Sequence, residues 1–207
     1  MNKIDLINLV QNAIDKKISN IDKNIFSVEG YSGKNFKHFL NNLLSEANGL
    51  SYLEIGVWKG STTISGLYEN TEKIKYYLID NFSQFGGPKL EFENNFEHFL
   101  NKKSNIIDED CFKLDKNTYN IKNIDIYFYD GPHEEQDHYN ALKYYYSSMS
   151  ENFIYIVDDW NWQKTKDGTY RAIKDLQLKI NNLIEYNTNF QDSETWWNGC
   201  AIFIFEK

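Results

Sequence analysis

Tyr52-Leu53-Glu54-Ile55-Gly56-Val57-Trp58-Lys59-Gly60-Ser61-Thr62-Thr63 is an apolar run closed by an acid, then two spaced glycines, then Ser and Thr. That order reads as strand, tight turn and helix start. Glycine at 56 and 60 lets the backbone turn sharply and stay bare, so that a ligand can approach it. The pattern is Glu-x-Gly-x-x-x-Gly, not the Gly-x-Gly-x-x-Gly that seats a pyrophosphate on a helix N-terminus. An acid at the end of the strand suits an ammonium group better than a phosphate. A glycine-rich turn occurs in many α/β domains, so the reading depends on the rest of the chain.

Outward from this turn, strands and helices alternate. Strand candidates fall at 51–57, 75–80, 104–108, 124–130 and 153–158, each followed by a polar or helical stretch, which predicts a parallel sheet with helices on both faces. Residues 183–190 and 199–206 are two further strands with only a loop between them. That link is too short for a parallel crossover and predicts an antiparallel pair. Ahead of the alternation, residues 3–18 place Ile4, Ile7, Leu9, Val10, Ile14 and Ile18 at helical spacing. Residues 34–48 do the same through Phe36, Phe39, Leu40, Leu43, Leu44 and Ala47, and Gly30-Tyr31-Ser32-Gly33 between them reads as a loop.

Composition narrows the function. The chain has 207 residues, a net charge of -8 and 16% aromatic residues, which predicts one folded domain with a sizeable core. Lysines are scattered and Arg171 is the single arginine, so a nucleic-acid partner is not expected. Two cysteines, Cys111 and Cys200, stand in unrelated contexts, which argues against a disulfide framework or zinc site and for a reducing, cytoplasmic setting. Polar residues interrupt the N-terminal apolar positions, so no signal peptide is read there. No apolar run of about 18 residues predicts a membrane span.

The turn at 54–60 resembles the first motif of the class I S-adenosylmethionine-dependent methyltransferases. That resemblance implies a Rossmann-like, doubly wound, mostly parallel seven-stranded α/β sheet closing in a C-terminal antiparallel hairpin. The methyltransferase domain would be residues 50–207, with a helical extension at 1–49. It further implies that Glu54, Gly56, Gly60 and Ser61 bind S-adenosylmethionine. Asp80, followed by Asn81 and Phe82 at the end of the next strand, would take its ribose hydroxyls, although an Asp there also suits a helix cap. Asp110, after the third strand, would lie near the adenine or act as a cap.

The richest cluster follows. Asp125-Ile126-Tyr127-Phe128-Tyr129-Asp130-Gly131-Pro132-His133 ends one strand, and Phe153-Ile154-Tyr155-Ile156-Val157-Asp158-Asp159-Trp160 ends the next. Adjacent strands, about 4.8 Å apart, would bring Asp130, Asp158, Asp159 and His133 to one mouth. Carboxylates so close repel, and a hard divalent cation, Mg²⁺ being the usual one, relieves this. These residues resemble the macrocin O-methyltransferase group, apart from Pro132, which stands where an acid is common. The resemblance implies Asp130, Asp158 and Asp159 as metal ligands, with Asp130 at the reacting centre and His133 as general base on a sugar or glycoside hydroxyl. Taken singly, each of these residues also reads as a turn or cap.

Trp160, Trp162, Trp196 and Trp197 are candidates for stacking on an acceptor, or for the core or a dimer contact. The polar stretch 163–169 reads as a loop that could close over substrate, and Arg171 either binds an anion or pairs with a surface acid. The N-terminal helices either cover the site or form a homo-oligomer interface. A small-molecule or glycan hydroxyl acceptor is the expected partner. The competing readings are a catechol-type O-methyltransferase, a non-catalytic S-adenosylmethionine-binding module and a nicotinamide oxidoreductase.

Overall fold

The computed structural model describes residues 2–207. Seven strands form one sheet: β1 (Ser51–Ile55), β2 (Lys75–Ile79), β3 (Ile106–Ile107), β4 (Ile124–Tyr129), β5 (Met149–Asp158), β6 (Lys179–Tyr186) and β7 (Cys200–Glu206). Their order is β3-β2-β1-β4-β5-β7-β6. The first five run parallel, while β7 pairs antiparallel with both β5 and β6. The helices are α1 (Lys3–Asp15), α2 (Lys34–Glu46), α3 (Ser61–Leu67), α4 (Lys89–Leu100), α5 (Glu135–Tyr145) and α6 (Gln163–Leu176).

Alternation along each strand sends successive side chains to opposite faces, and both faces are buried. Tyr52, Ile126, Phe128, Ile154, Ile156, Ile202 and Ile204 share one apolar cluster with Leu6 and Val10 of α1 and Phe36 and Leu40 of α2. Leu53, Tyr127, Tyr129, Tyr155, Phe203 and Phe205 share the other with Ala141 of α5 and Ala172 of α6. Residues 2–49 thus contribute a helical layer to the same core as the sheet.

Several boundaries differ from the sequence reading: β5 starts at Met149 instead of 153, β1 ends at Ile55 instead of 57, and α1 ends at Asp15 instead of 18. The sixth strand lies at Lys179–Tyr186, four residues before the expected 183–190, because Asn161 draws the following segment out of the ladder. Its amide donates to the Thr188 carbonyl at 2.8 Å and its Oδ1 accepts from the Thr188 N–H at 3.3 Å. The third strand shrinks to two residues. The stretch 163–169, read as a loop, is the first half of α6. Gln163 Nε2 donates to Asp167 Oδ1 at 2.8 Å across one turn. Gly168 allows α6 to press on α5, since a Cβ there would stand 2.1 Å from the Glu135 carbonyl oxygen.

Candidate active site

The parallel strands end in register, and the functional loops leave from those ends. Gly56 N–H donates to the Ile79 carbonyl at 3.0 Å, Asp80 N–H to Ile107 at 3.2 Å and Asp130 N–H to Ile55 at 2.9 Å. The turn after β1 is therefore wedged between the ends of β2 and β4, where an open α/β sheet forms its ligand crevice. Gly56 has φ +87°, and a Cβ on it would stand 1.9 Å from the Asp130 carbonyl oxygen. Only glycine fits there.

Two cavities open at this edge. The first, of ≈ 350 Å³, is walled by Tyr31, Trp58, Phe85, Trp162, Phe190 and Trp197, with Asp130, His133, Asp158 and Asp159 at its floor. The second, of ≈ 330 Å³, is lined by Asp80, Asn81, Phe82, Asp110, Cys111 and Phe112. They share Gly56, Trp58, Phe85 and His133. Six of the twelve non-glycine residues with positive φ among those described (Trp58, Phe82, Phe85, Asp159, Gln191 and Trp197) line one or both cavities. Backbone strain is thus concentrated where function is expected.

The expected donor-binding residues separate into two sets. Asn81, Phe82 and Asp110 line the second cavity, as does Asp80, whose carboxylate also fixes the β1 turn. Asp80 Oδ2 accepts from the Val57 and Trp58 N–H groups at 3.0 and 2.9 Å, and its Oδ1 accepts from the Phe82 N–H at 2.7 Å. Asp110 accepts from the Phe112 N–H at 2.9 Å and pairs with Lys113 at 2.7 Å; the Lys113 ammonium holds its carboxyl below the ordinary range. Ser61 lines the first cavity, and its buried hydroxyl has no hydrogen-bond partner. Gly60, with φ +91°, starts α3 behind the wall.

Glu54 lies beneath both cavities and lines neither. It is fully buried, accepting from the Tyr52 hydroxyl at 2.9 Å and the Thr62 hydroxyl at 2.6 Å. Burial pushes its carboxyl up to about 7.

The acids at the ends of β4 and β5 do meet. Burial, with the charges of Asp158 and Asp159, pushes Asp130 well above the carboxylate range, and burial with the charge of Asp159 pushes Asp158 the same way. Asp159 Oδ1 accepts from Asn198 Nδ2 at 2.9 Å. His133 stands between them, Nε2 3.6 Å from Asp130 Oδ1 and Nδ1 3.6 Å from Asp159 Oδ2. Those distances exceed a hydrogen bond. Burial lowers the His133 pKa, opposed by the Asp159 charge, and its Nδ1 has no hydrogen-bond partner. The ring is therefore neutral near pH 7 and free to accept a proton. Three carboxylates suit a hard cation in donor chemistry, yet among the described residues no three His, Cys, Asp or Glu converge as a metal-ligand set.

Of the four tryptophans named as stacking candidates, Trp162 and Trp197 line the first cavity, whereas Trp160 and Trp196 are buried in the core. Arg171 pairs with Glu135 at 2.6 Å and Gln136 at 2.8 Å on the surface. The sequence reading did not single out Tyr31, Trp58 or Phe85. Tyr31 stacks on Trp58 with ring centroids 4.9 Å apart and leans on Phe85 and Trp197 at 6.1 and 5.9 Å. Four loops far apart in sequence thus make one aromatic wall, and no local motif marks such a contact.

No protein-family model matches the chain, and no curated protein sequence matches it. Solved structures do. An O-methyltransferase from Bacillus cereus in complex with SAH superposes with a TM-score of 0.61 at 14% identity, covering 100% of this chain and 92% of that one. The chain has the fold of the S-adenosylmethionine-dependent methyltransferases. A SAM-dependent O-methyltransferase from Thermotoga maritima gives a TM-score of 0.56 at 11% identity over 96% of this chain and 71% of its own. TrmN from Thermus thermophilus gives 0.62 at 10% identity over 89% of this chain, which spans only 52% of TrmN. At such identities the likeness carries the fold and leaves the reaction to the residues of the site. Among the described residues no helix is long and apolar enough to cross a membrane.

Proposed function

We propose that the chain is an S-adenosylmethionine-dependent O-methyltransferase, with the donor in the second cavity and a hydroxyl acceptor in the first. One observation carries this reading: two cavities of similar size meet at Gly56, Trp58, Phe85 and His133, with an acid cluster and a neutral imidazole at their junction. Two reactants that must touch at one atom need such an arrangement. The donor, when bound, supplies a methyl group on a sulfonium. Methyl transfer forms the O–C bond, breaks the C–S bond and leaves a neutral thioether.

The protein's own residues supply the rest. Asp80 and Asp110 offer carboxylate oxygens to the donor's hydroxyls and base. His133 accepts the proton of the acceptor hydroxyl, and the Asp159 carboxylate, 3.6 Å from Nδ1, stabilises the imidazolium that forms. The aromatic wall restricts water, which strengthens those interactions. Holding oxygen, methyl and sulfur in line is the larger part of the rate. If Mg²⁺ takes part, Asp130, Asp158 and Asp159 would hold it, and it would lower the pKa of the acceptor hydroxyl; no step above depends on it.

A sugar or glycoside acceptor, as in the macrocin group, is supported by the flat aromatic faces of Tyr31, Trp58 and Trp197, which suit the apolar faces of a pyranose. The same wall favours a second reading, a phenol of catechol type, since six aromatic residues give a planar ring stacking partners on several sides. Calorimetric titration with S-adenosylhomocysteine, with and without Mg²⁺, tests the donor site. Absence of binding in both conditions refutes the proposal, and micromolar binding supports it.

A further inference from the structure

Behind the wall of the first cavity lies a smaller hollow of ≈ 300 Å³, sharing Gly30, Ser32 and Trp197 with it. Its other walls include Phe26, Lys34 and Lys37. Lys37 is only 5% exposed, and among the described residues no anion pairs with it. Its ammonium lies 5.8 Å from the Phe26 ring centroid, a weak compensation. Burial, with the charge of Lys34, pushes it down to about 8, so it is still cationic at pH 7.

A buried ammonium without an anion is costly. Here the helix adds a second cost. Lys34 and Lys37 are the first and fourth residues of α2, where aligned peptide dipoles disfavour cations. Glu194 offsets Lys34 at 2.7 Å, but nothing offsets Lys37. Nor do the first N–H groups of α2 remain free, since those of Lys34, Asn35 and Phe36 donate to the carbonyls of Ser193, Glu194 and Thr195. Glu29 also borders the hollow, but Lys59 holds its carboxylate at 2.7 Å. Finally, the buried Ser32 hydroxyl, which lines both spaces, has no hydrogen-bond partner. A cation without an anion and a hydroxyl without a partner thus belong to the walls of one hollow, which shares Ser32 with the first cavity.

We infer that this hollow binds an anionic substituent of the acceptor, a carboxylate or phosphate, with Lys37 as its charge partner and Ser32 as its hydrogen-bond donor. Naming the anion as part of the acceptor rests on the methyl-transfer reading; the anion site itself does not. The acceptor would lie with its hydroxyl at His133 and its anionic end behind Trp197.

Tryptophan fluorescence titrations test this, because Trp197 borders both spaces. The probes are two matched pairs, catechol against 3,4-dihydroxybenzoate and glucose against glucuronate, together with inorganic phosphate alone. In the unmodified protein the carboxylate member of a pair should bind about ten-fold tighter or more than its neutral partner. Lys37→Met keeps the volume, removes the charge and should abolish that preference. It should also melt no lower than the parent, because it deletes an unpartnered buried charge. Equal affinities within both pairs in the parent, or a preference that survives Lys37→Met, would overturn the inference. So would a lower melting temperature for Lys37→Met, since Lys37 would then be structural. Phosphate binding that needs Lys37, without any carboxylate advantage, would point to a free anion and remove the acceptor from the proposal. A parallel titration with S-adenosylhomocysteine separates the two readings. Donor binding without carboxylate preference sinks the hollow alone; carboxylate preference without donor binding sinks the methyl-transfer reading and keeps the hollow.

Discussion

Replacing Glu54 by Gln should change how stability depends on pH while leaving the donor site largely intact. Glu54 is fully buried, receives the Tyr52 and Thr62 hydroxyls, and has its pKa raised from 4.5 to about 7, burial being the main cause. The folded value lies above the unfolded one. Its contribution is therefore fully present below the unfolded pKa and is lost as pH rises through about 7. At about 1.4 kcal/mol per pH unit, the gap is worth about 3 kcal/mol, most of it between pH 5 and pH 8. Asp130, Asp158 and Asp159 carry the same sign and remain in both proteins; Asp158 and Asp159 cancel in the difference, and Asp130, which feels the Glu54 charge only as the last of its causes, cancels in the main. Urea unfolding at pH 5, 6, 7 and 8 and fixed ionic strength measures it directly. The Gln variant should gain on the parent by about 2.5 kcal/mol across that range. A difference that stays constant with pH would show that Glu54 titrates as an exposed acid and would refute its placement. Titration with S-adenosylhomocysteine adds a second arm. A carboxylate sealed beneath the cavities predicts little loss of affinity, whereas one that meets the donor's ammonium, as the sequence suggested, predicts a loss of ten-fold or more.

Gly56→Ala should abolish S-adenosylhomocysteine binding and cost more than about 1–2 kcal/mol, since φ +87° and a contact of 1.9 Å both oppose a Cβ; retained binding in calorimetry would contradict the turn geometry. His133→Ala should lower kcat by roughly 10²–10⁴. Because burial holds His133 below 6.5, the parent's rate should rise along an acid limb ending below that pH, and the variant should lose the limb. An unchanged pH–rate profile would remove His133 as the base. If Asp130, Asp158 and Asp159 hold a cation, EDTA should suppress turnover and excess Mg²⁺ restore it, while full turnover in EDTA assigns the acids to proton handling alone. Tyr31→Ala should raise the acceptor KM with donor affinity nearly unchanged, because Tyr31 borders only the first cavity; an equal loss for both ligands would mean that the wall organises the whole edge.

The sheet was legible because its signals are local. Apolar runs closed by Asp80, Asp130 and Asp158-Asp159 mark strand ends, and the short link before residue 199 forbids a parallel crossover. Strand limits were less legible, since Asn161 sets where β6 stops from 27 residues away in sequence. The misread loop at 163–169 has a similar cause. Its polar residues and glycine suggest a turn in isolation, but in the fold that glycine is what α5 presses against. Placing Asp130, Asp158, Asp159 and His133 together needed only strand adjacency, so the sequence sufficed. Glu54 marked the right turn, yet whether its carboxylate faces the ligand or the core depends on Tyr52 and Thr62, which read as ordinary strand and helix residues.

The division between what was legible and what was not follows how the two cavities are built. The second cavity, the proposed donor side, comes from consecutive strand ends, whose relative positions are fixed by the ladder. The first cavity, the proposed acceptor side, adds to those strand ends residues 30–32, before the first strand, and 190–198, between the last two. These segments lie outside the alternation and are joined by the α2 N–H bonds to Ser193, Glu194 and Thr195 and by the contact of Tyr31 with Trp197. Changing either loop can reshape the acceptor cavity without moving Asp80 or the Gly56 turn. Such a fold conserves donor geometry through topology and leaves acceptor choice to loops whose contacts are long-range. Fold similarity at 10–14% identity is then expected to report on the donor far better than on the acceptor. Direct binding measurements on the aromatic wall and the Lys37 hollow therefore carry more information about the substrate than any further likeness in fold.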